Sequence, residues 1–311
     1  MEREIGEQPD ILSAQVENYS AQARQFFKSR DFEMVLIVAR GSSDHAALYA
    51  RYLIEIHLGI PVSLAAPSVL TRYGSEIKYP RCLAIGISQS GAGPDIAEVI
   101  SYMRNAGHRT LAITNTCGSR LSHEAEFVLH LECGEEKSVA ATKTYTASLL
   151  ALYEVVHALG GKLASAKEWL PTASWLASTN EAAASAFGPL NRSNPVICLA
   201  RGYNFSTACE TALKLMECGL IPAKSYSSAD FQHGPRALAG PGSCVLTFDE
   251  KIEGLKEQGC LLIEAPSCPA PEPLAPIWNV IFGQWLALYA ARGRGLNPDD
   301  PHFISKVTKT F

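Results

Sequence analysis

Val38-Ala39-Arg40-Gly41 and, 161 positions later, Leu199-Ala200-Arg201-Gly202 are near copies of one another, and Pro61 and Pro222 keep the same offset. Each copy opens on an apolar, β-branched run, Val35-Leu36-Ile37-Val38 in the first and Pro195-Val196-Ile197-Cys198-Leu199 in the second. Each then turns tightly at glycine, continues with helical period and stops at Gly59-Ile60-Pro61 or Leu220-Ile221-Pro222. A strand, a turn and a helix in that order form the unit whose turn and helix N-terminus can hold a phosphate. The chain therefore reads as a duplication. Only the first copy carries a hydroxyl-rich turn, Gly41-Ser42-Ser43, and only the first is followed by a second one, Ile87-Ser88-Gln89-Ser90-Gly91.

Working outward, residues 10–29 have helical period, a strand is expected at 34–39 and a helix from Asp44 to Leu58. Val62-Ser63-Leu64 reads as a short strand, and residues 81–87 as a central one because they are nearly all apolar. Pro94-Asp95 starts a helix to about Asn105, proline being tolerated and aspartate favoured in the first turn. Strands at 110–114 and 127–131 complete an alternating series, followed by helices at 142–159 and 166–187. After the turn Asn191–Pro195 the second copy is expected to run through strands at 195–200, 244–248 and 260–264, with helices at 205–219 and 276–291. Alternating strands and helices predict an α/β chain of two tandem doubly wound parallel-sheet domains, with ligands at the carboxyl ends of the strands. The expected boundaries are an N-terminal helical segment at 1–30, a first domain at 31–165, a connecting helix at 166–190, a second domain at 191–295 and a Gly/Pro-rich tail at 296–311.

The 311 residues, 47% hydrophobic, suffice for two ordinary cores. A net charge of −4 leaves no electrostatic footprint for nucleic acid or an acidic membrane surface, so small molecules are the expected partners. Nine cysteines without a C-x-x-C pair read as reduced core residues. With no apolar leader and no apolar run near the ~18 residues of a membrane span, a soluble cytoplasmic protein is expected.

In Ser88-Gln89-Ser90-Gly91-Ala92-Gly93-Pro94-Asp95, glycines let amides approach an anion, hydroxyls donate to its oxygens and the helix end adds roughly half a positive charge. An ordinary βα turn has the same look. Gly41-Ser42-Ser43 at the neighbouring strand end, and Val139-Ala140-Ala141-Thr142-Lys143 opening a third helix, favour the phosphate reading, with three turns converging on one sheet edge. No P-loop, G-x-G-x-x-G or G-x-S-x-G motif is present, and the histidines lack metal-ligand spacing. No metal or cofactor is expected, and a phosphorylated small molecule remains. Lys214 and Glu217, three apart, share a helix face. They are either a solvent-exposed pair or, among Met216, Cys218, Gly219 and Leu220, a base whose carboxyl is raised by apolar surroundings. His233, before Gly234-Pro235, is a candidate acid–base group or a hydrated loop histidine.

These segments resemble the SIS (sugar isomerase) family of phosphosugar enzymes, in particular the isomerase half of glucosamine-6-phosphate synthase and the SIS-type glucosamine-6-phosphate deaminases. The resemblance begins at Glu4-Ile5-Gly6-Glu7-Gln8-Pro9. It continues through the Ser42-Ser43, Ser88–Gly91 and Val139–Lys143 segments to Ala212-Leu213-Lys214-Leu215-Met216-Glu217 and His233-Gly234-Pro235. It implies flavodoxin-like SIS domains in which Ser42, Ser43, Ser88, Gln89, Ser90 and Gly93 hold the sugar phosphate, while Val139, Ala140 and Ala141 line the sugar. Glu217 falls at the base that moves a proton between C1 and C2, Lys214 at its supporting lysine, and His233 at the ring-opening histidine supplied by a partner subunit, which implies a homodimer.

Where the synthase has serine and threonine, this chain has Ala141 and Gly93, so two phosphate hydroxyls are missing. Anchoring the tail on Val307-Thr308 puts Ser305 at the synthase's Schiff-base lysine, with Lys306 one position off and expected to point elsewhere. No ammonia-supplying glutaminase domain is seen. The resemblance and its departures lead to an expected glucosamine-6-phosphate deaminase with a phosphorylated amino sugar as substrate. The alternatives are a fructosamine-6-phosphate deglycase, another amino-sugar-phosphate isomerase, or a non-catalytic sugar-phosphate sensor.

Overall fold

The two glycine-ended runs become β1 (Met34–Val38) and β6 (Val196–Ala200), each an inner strand of a separate parallel sheet in a computed structural model that describes residues 1–301 and 304–306. In chain order the elements before the second half are α1 (Glu2–Gly6), α2 (Gln8–Phe26), β1, α3 (Ser42–Leu58), β2 (Val62–Leu64), α4 (Ser68–Thr71), β3 (Cys82–Ile87), α5 (Pro94–Asn105), β4 (Arg109–Thr114), α6 (Arg120–Glu124), β5 (Phe127–His130) and α7 (Lys143–Ala158). There follow α8 (Ala173–Asn191), then after β6 come α9 (Phe205–Gly219), β7 (Ala223–Ser227), α10 (Ser228–Phe231), β8 (Cys244–Thr247), β9 (Leu261–Glu264) and α11 (Ala275–Gly293).

The strand orders are β2-β1-β3-β4-β5 and β7-β6-β8-β9, every pairing parallel. The chain is thus α/β with two parallel sheets. The 161-residue offset persists in the register: Val35 pairs with Val62 and Leu83, and Val196 with Ala223 and Cys244, each partner displaced by the same 161 positions. β3 is buried at all six residues, as a central parallel strand covered on both faces must be. One face of the first sheet, with Leu36, Val38, Ala84 and Ala112, packs on Ile96, Ile100 and Met103 of α5. Ile197, Leu199 and Val245 of the second sheet pack on Phe231 and Leu255.

Contacts divide the described residues into two compact units. Asp10–Glu135 and Lys143–Glu168 carry the first sheet, and Met1–Pro9, Glu136–Thr142 and Trp169–Lys306 carry the second.

Several expectations are corrected. The helix expected at 166–187 is a single 3-10 turn at Ala166–Trp169 followed by α8, because Pro171 interrupts the ladder and Thr172 caps a new start by accepting from the Trp175 amide. β7 replaces part of an expected loop, as the edge strand equivalent to β2. Six of the nine free cysteines are buried, but Cys117 is exposed and Cys209 and Cys268 are half-buried, so not all are core residues. Finally, Glu272–Gly293 is long and apolar enough to cross a membrane, against the expectation that no run approaches that length; 94% of its most apolar window is buried inside the protein. A helix apolar on all sides is the signature of an enclosed core element, and α11 packs against both α8 and α9.

That packing depends on Gly283, where an added Cβ would fall on Thr211 Oγ1 of α9 and 3.0 Å from Thr211 Cβ. Gly283→Ala should lower stability by about 1–3 kcal/mol through overpacking. A denaturant titration showing no loss would mean that α9 and α11 can separate freely.

Candidate functional site

In the first-sheet unit, β1 and β3 are adjacent and in register from Met34–Cys82 to Val38–Gly86, so the Gly41 and Ser88 turns lie at neighbouring carboxyl ends. This is where the strand order reverses, the place where doubly wound sheets bind ligands. Gly41, at φ 57°, turns the chain so that Ser42 and Ser43 start α3, both half-buried. Ser88, Gln89 and Ser90 are also half-buried. Ser88 Oγ accepts from the Gly91 amide at 3.1 Å and Ser90 Oγ from the Ala92 amide at 3.3 Å. Those two amides are consumed within the turn, while each hydroxyl still holds an O–H to donate. The Gln89 carbonyl accepts from the Asn115 amide and from the Thr114 hydroxyl, tying the turn to the end of β4.

Gly91 sits at φ 60°, and a Cβ there would fall on Ser119. Gly91→Ala should therefore cost about 1–3 kcal/mol in strain and overlap, read as a lower melting temperature. Gly93 is the N-cap of α5 with no side-chain cap.

Arg40, missed in the sequence reading, donates from Nε to Asp95 Oδ2 at 2.9 Å, linking the first turn to the start of α5. Asp95 is buried, and the guanidinium neutralises a carboxylate that would oppose an anion at this helix end. Arginine and aspartate 55 residues apart give no local signal.

The segment Val139-Ala140-Ala141 belongs to the second-sheet unit, whereas the Gly41 and Ser88 turns share the first sheet's edge. α7 begins at Lys143, after the segment. Glu4 Oε1 accepts the Lys137 amide at 2.5 Å and the Ser138 amide at 3.4 Å. Glu136 Oε1 accepts from the Thr142 amide at 2.9 Å and hydroxyl at 3.2 Å, while Glu136 Oε2 pairs with Lys306 Nζ at 3.0 Å. Lys306 Nζ also donates to the Ser138 carbonyl. Val139 and Ala141 are half-buried and Ala140 buried, so two buried carboxylates hold the backbone on which these small residues are displayed. Lys306, expected to point elsewhere, is fastened to this segment. The Val307-Thr308 anchor lies outside the described residues.

On α9, Lys214 is 1% exposed and its Nζ pairs with Glu217 Oε2 and, at 3.4 Å, with Glu210 Oε1. The alternative of a solvent-exposed pair is therefore overturned for the lysine. Burial pulls the ammonium's pKa down, but the Glu210 and Glu217 carboxylates outweigh it and hold the group above its ordinary range. The surroundings of Glu217 also differ from the apolar nest expected: an ammonium touches its carboxylate, and Met216 and Leu220 are exposed. Glu217 retains 24% side-chain exposure, whereas Glu210 has none. Glu210, four residues before Lys214, was readable from helical spacing and was overlooked.

His233 is exposed, its amide bonded to the Asp230 carbonyl. Gly234 turns the chain at φ 126°, Pro235 opens a 3-10 turn, and Arg236 pins the loop through Gln232 and Gln258. Among the described residues no group of three or more His, Cys, Asp or Glu could hold a metal ion.

Residues 30–158 match the SIS domain family. The glutamine–fructose-6-phosphate aminotransferase [isomerizing] of Aquifex aeolicus is 30% identical over 99% of this chain. The chain carries an SIS domain at residues 30–158. It spans about half the length of such curated relatives, 57% in the Aquifex case. The C-terminal domain of glucosamine-fructose-6-phosphate aminotransferase from Francisella tularensis superposes with a TM-score of 0.82 at 24% identity, covering 96% of this chain and 97% of its own. The glucosamine-6-phosphate deaminase of Thermotoga maritima superposes with a TM-score of 0.78 at 22% identity, covering 96% and 99%. Both likenesses show a shared fold.

Proposed function

We propose that this SIS chain is an isomerising deaminase that converts glucosamine-6-phosphate and water to fructose-6-phosphate and ammonia. In this reading Ser42, Ser43, Ser88, Gln89, Ser90 and the Gly93 helix end take the phosphate, and Val139, Ala140 and Ala141 line the sugar. His233 assists ring opening and, exposed on a pinned loop, is contributed to a partner copy in a homodimer. Residues 31–165 and 191–295 form tandem SIS domains.

Once the ring is open, Glu217 removes the C2 proton and returns it to C1. That shift turns the C2 amine into an imine and C1 into a hydroxymethyl group. Water adds at C2 and ammonia departs. Lys214, held charged by two carboxylates, orients Glu217 without supplying the proton.

The observation that carries deamination over synthesis is the placement of the tail's amine. Lys306 is committed to Glu136 and the Ser138 carbonyl, and in the resemblance anchored on Val307-Thr308 Ser305 falls at the synthase's Schiff-base lysine. A synthase needs an amine to open its ketose substrate as a Schiff base. A deaminase substrate brings its own nitrogen. The test is to follow ammonia and fructose-6-phosphate together after adding glucosamine-6-phosphate to the pure protein. Stoichiometric release supports the reading; binding without turnover overturns it.

A further inference from the structure

A nucleophile outside the residues assigned above lies beyond the end of β4 in the first-sheet unit. Cys117 is the exposed thiol among nine cysteines, all of them described. Its Sγ lies 3.3 Å from Nδ1 and 3.7 Å from Nε2 of His130, the last residue of β5. The pairing of Thr114 with His130 across the sheet sets the two chain segments side by side.

Neither partner is on a loose element. The His130 amide donates to Gln22 Oε1 at 3.0 Å, and its carbonyl accepts from Gln22 Nε2 at 3.3 Å. The thiol's turn is fixed by Asn115, which donates to the Gly134 carbonyl at 2.8 Å and accepts from the Cys133 amide at 2.9 Å. After Cys117, Gly118 turns the chain at φ 66° and Ser119 caps α6.

The other thiols are placed differently. Burial pushes Cys218, Cys244 and Cys268 up to about 12 and Cys82 up to about 11, and raises Cys198 and Cys260. Cys133 is buried against the Leu131 carbonyl, and Cys209 is half-buried beside Ser225. Buried thiols are held protonated and away from reagents, whereas an exposed thiol beside a basic group is positioned to react.

We propose that Cys117 and His130 form a thiol-modification site that takes small disulfides. The imidazole accepts the thiol proton as Cys117 Sγ attacks one sulfur of the disulfide. The new Cys117 S–S bond forms as the reagent's own S–S bond breaks, and the other half leaves as a thiolate. Two electrons pass from Cys117 to the departing sulfur and no further oxidant is needed. The adduct falls next to Thr116 and Asn115, both of which donate to the Gln89 carbonyl of the hydroxyl-bearing turn.

The test incubates the full chain with 5,5′-dithiobis(2-nitrobenzoate) in deficit, follows thiolate release and maps the labelled peptide by mass. Cys117 should be labelled first, about tenfold or more ahead of any other cysteine, given how exposure and a neighbouring base govern thiol reactivity. Cys117→Ser should remove the fast phase. His130→Gln should slow it about tenfold, a modest share of what a positioned base can contribute. The mapping in the parent protein needs no variant, so a folding defect in His130→Gln cannot obscure the result. Fast labelling at Cys209 or Cys268, or a fast phase of equal rate in a folded His130→Gln protein, overturns the proposal.

Discussion

Glu217→Gln is expected to lower the turnover of glucosamine-6-phosphate by ~10²- to 10⁴-fold, the range a positioned proton carrier contributes, while leaving KM within about threefold. The substitution keeps the side chain's shape and its hydrogen-bond acceptor for Lys214. It removes only the charge that, in the proposed mechanism, accepts the C2 proton. Lys214 keeps a second anionic partner in Glu210, so the variant should melt close to the parent. A defect in kcat without one in KM is the mark of an interaction used in the transition state rather than in binding. A variant that turns over within tenfold of the parent would remove Glu217 from the mechanism and move attention to another carboxylate.

Glu217 was recoverable from sequence because its helix announces itself: the apolar period of α9 and the i, i+3 spacing are local facts. So were β1, β3, β6 and β8, since a parallel strand buried on both faces has no freedom to be polar. β7, Ala223-Lys224-Ser225-Tyr226-Ser227, was not. It is an edge strand with only Ala223 buried, so its residues answer to weaker constraints than those of a central strand. The repeat itself held the clue, because β2 lies at the same offset from β7 as β1 from β6. The partners that shape the candidate site were beyond the reach of pattern. Arg40 meets Asp95, Glu4 holds Ser138, and Lys306 closes on Glu136 across 170 residues. Each is a charged group finding its partner through the tertiary fold, and no period in the chain encodes such a meeting. The glycine and serine turns were legible as phosphate candidates. Which amides they spend internally was a matter of geometry that only coordinates supply.

Lys214→Met should lower stability by about 3–5 kcal/mol, the cost of removing one member of a buried ionic group and stranding the other. Glu210 has no side-chain exposure, and Lys214 Nζ lies 3.4 Å from its Oε1. The methionine fills the lysine's stem volume, so the loss would report charge rather than a cavity. Adding Glu210→Gln to the same chain should recover a large part of the loss, because an amide is far less costly to bury than a carboxylate whose neighbouring ammonium has been removed. Coupling of that size between contacting residues is what a double-mutant cycle resolves. The pH dependence gives an independent reading. In the parent, the lysine's elevated folded pKa means that its contribution is fully present below its unfolded value of about 10.4, so it stays constant through neutral pH and declines only in strong base. Urea midpoints of the parent, the single variant and the double variant, taken at pH 7 and again in strong base, decide the matter. A single variant as stable as the parent would show that Lys214 serves Glu217 alone.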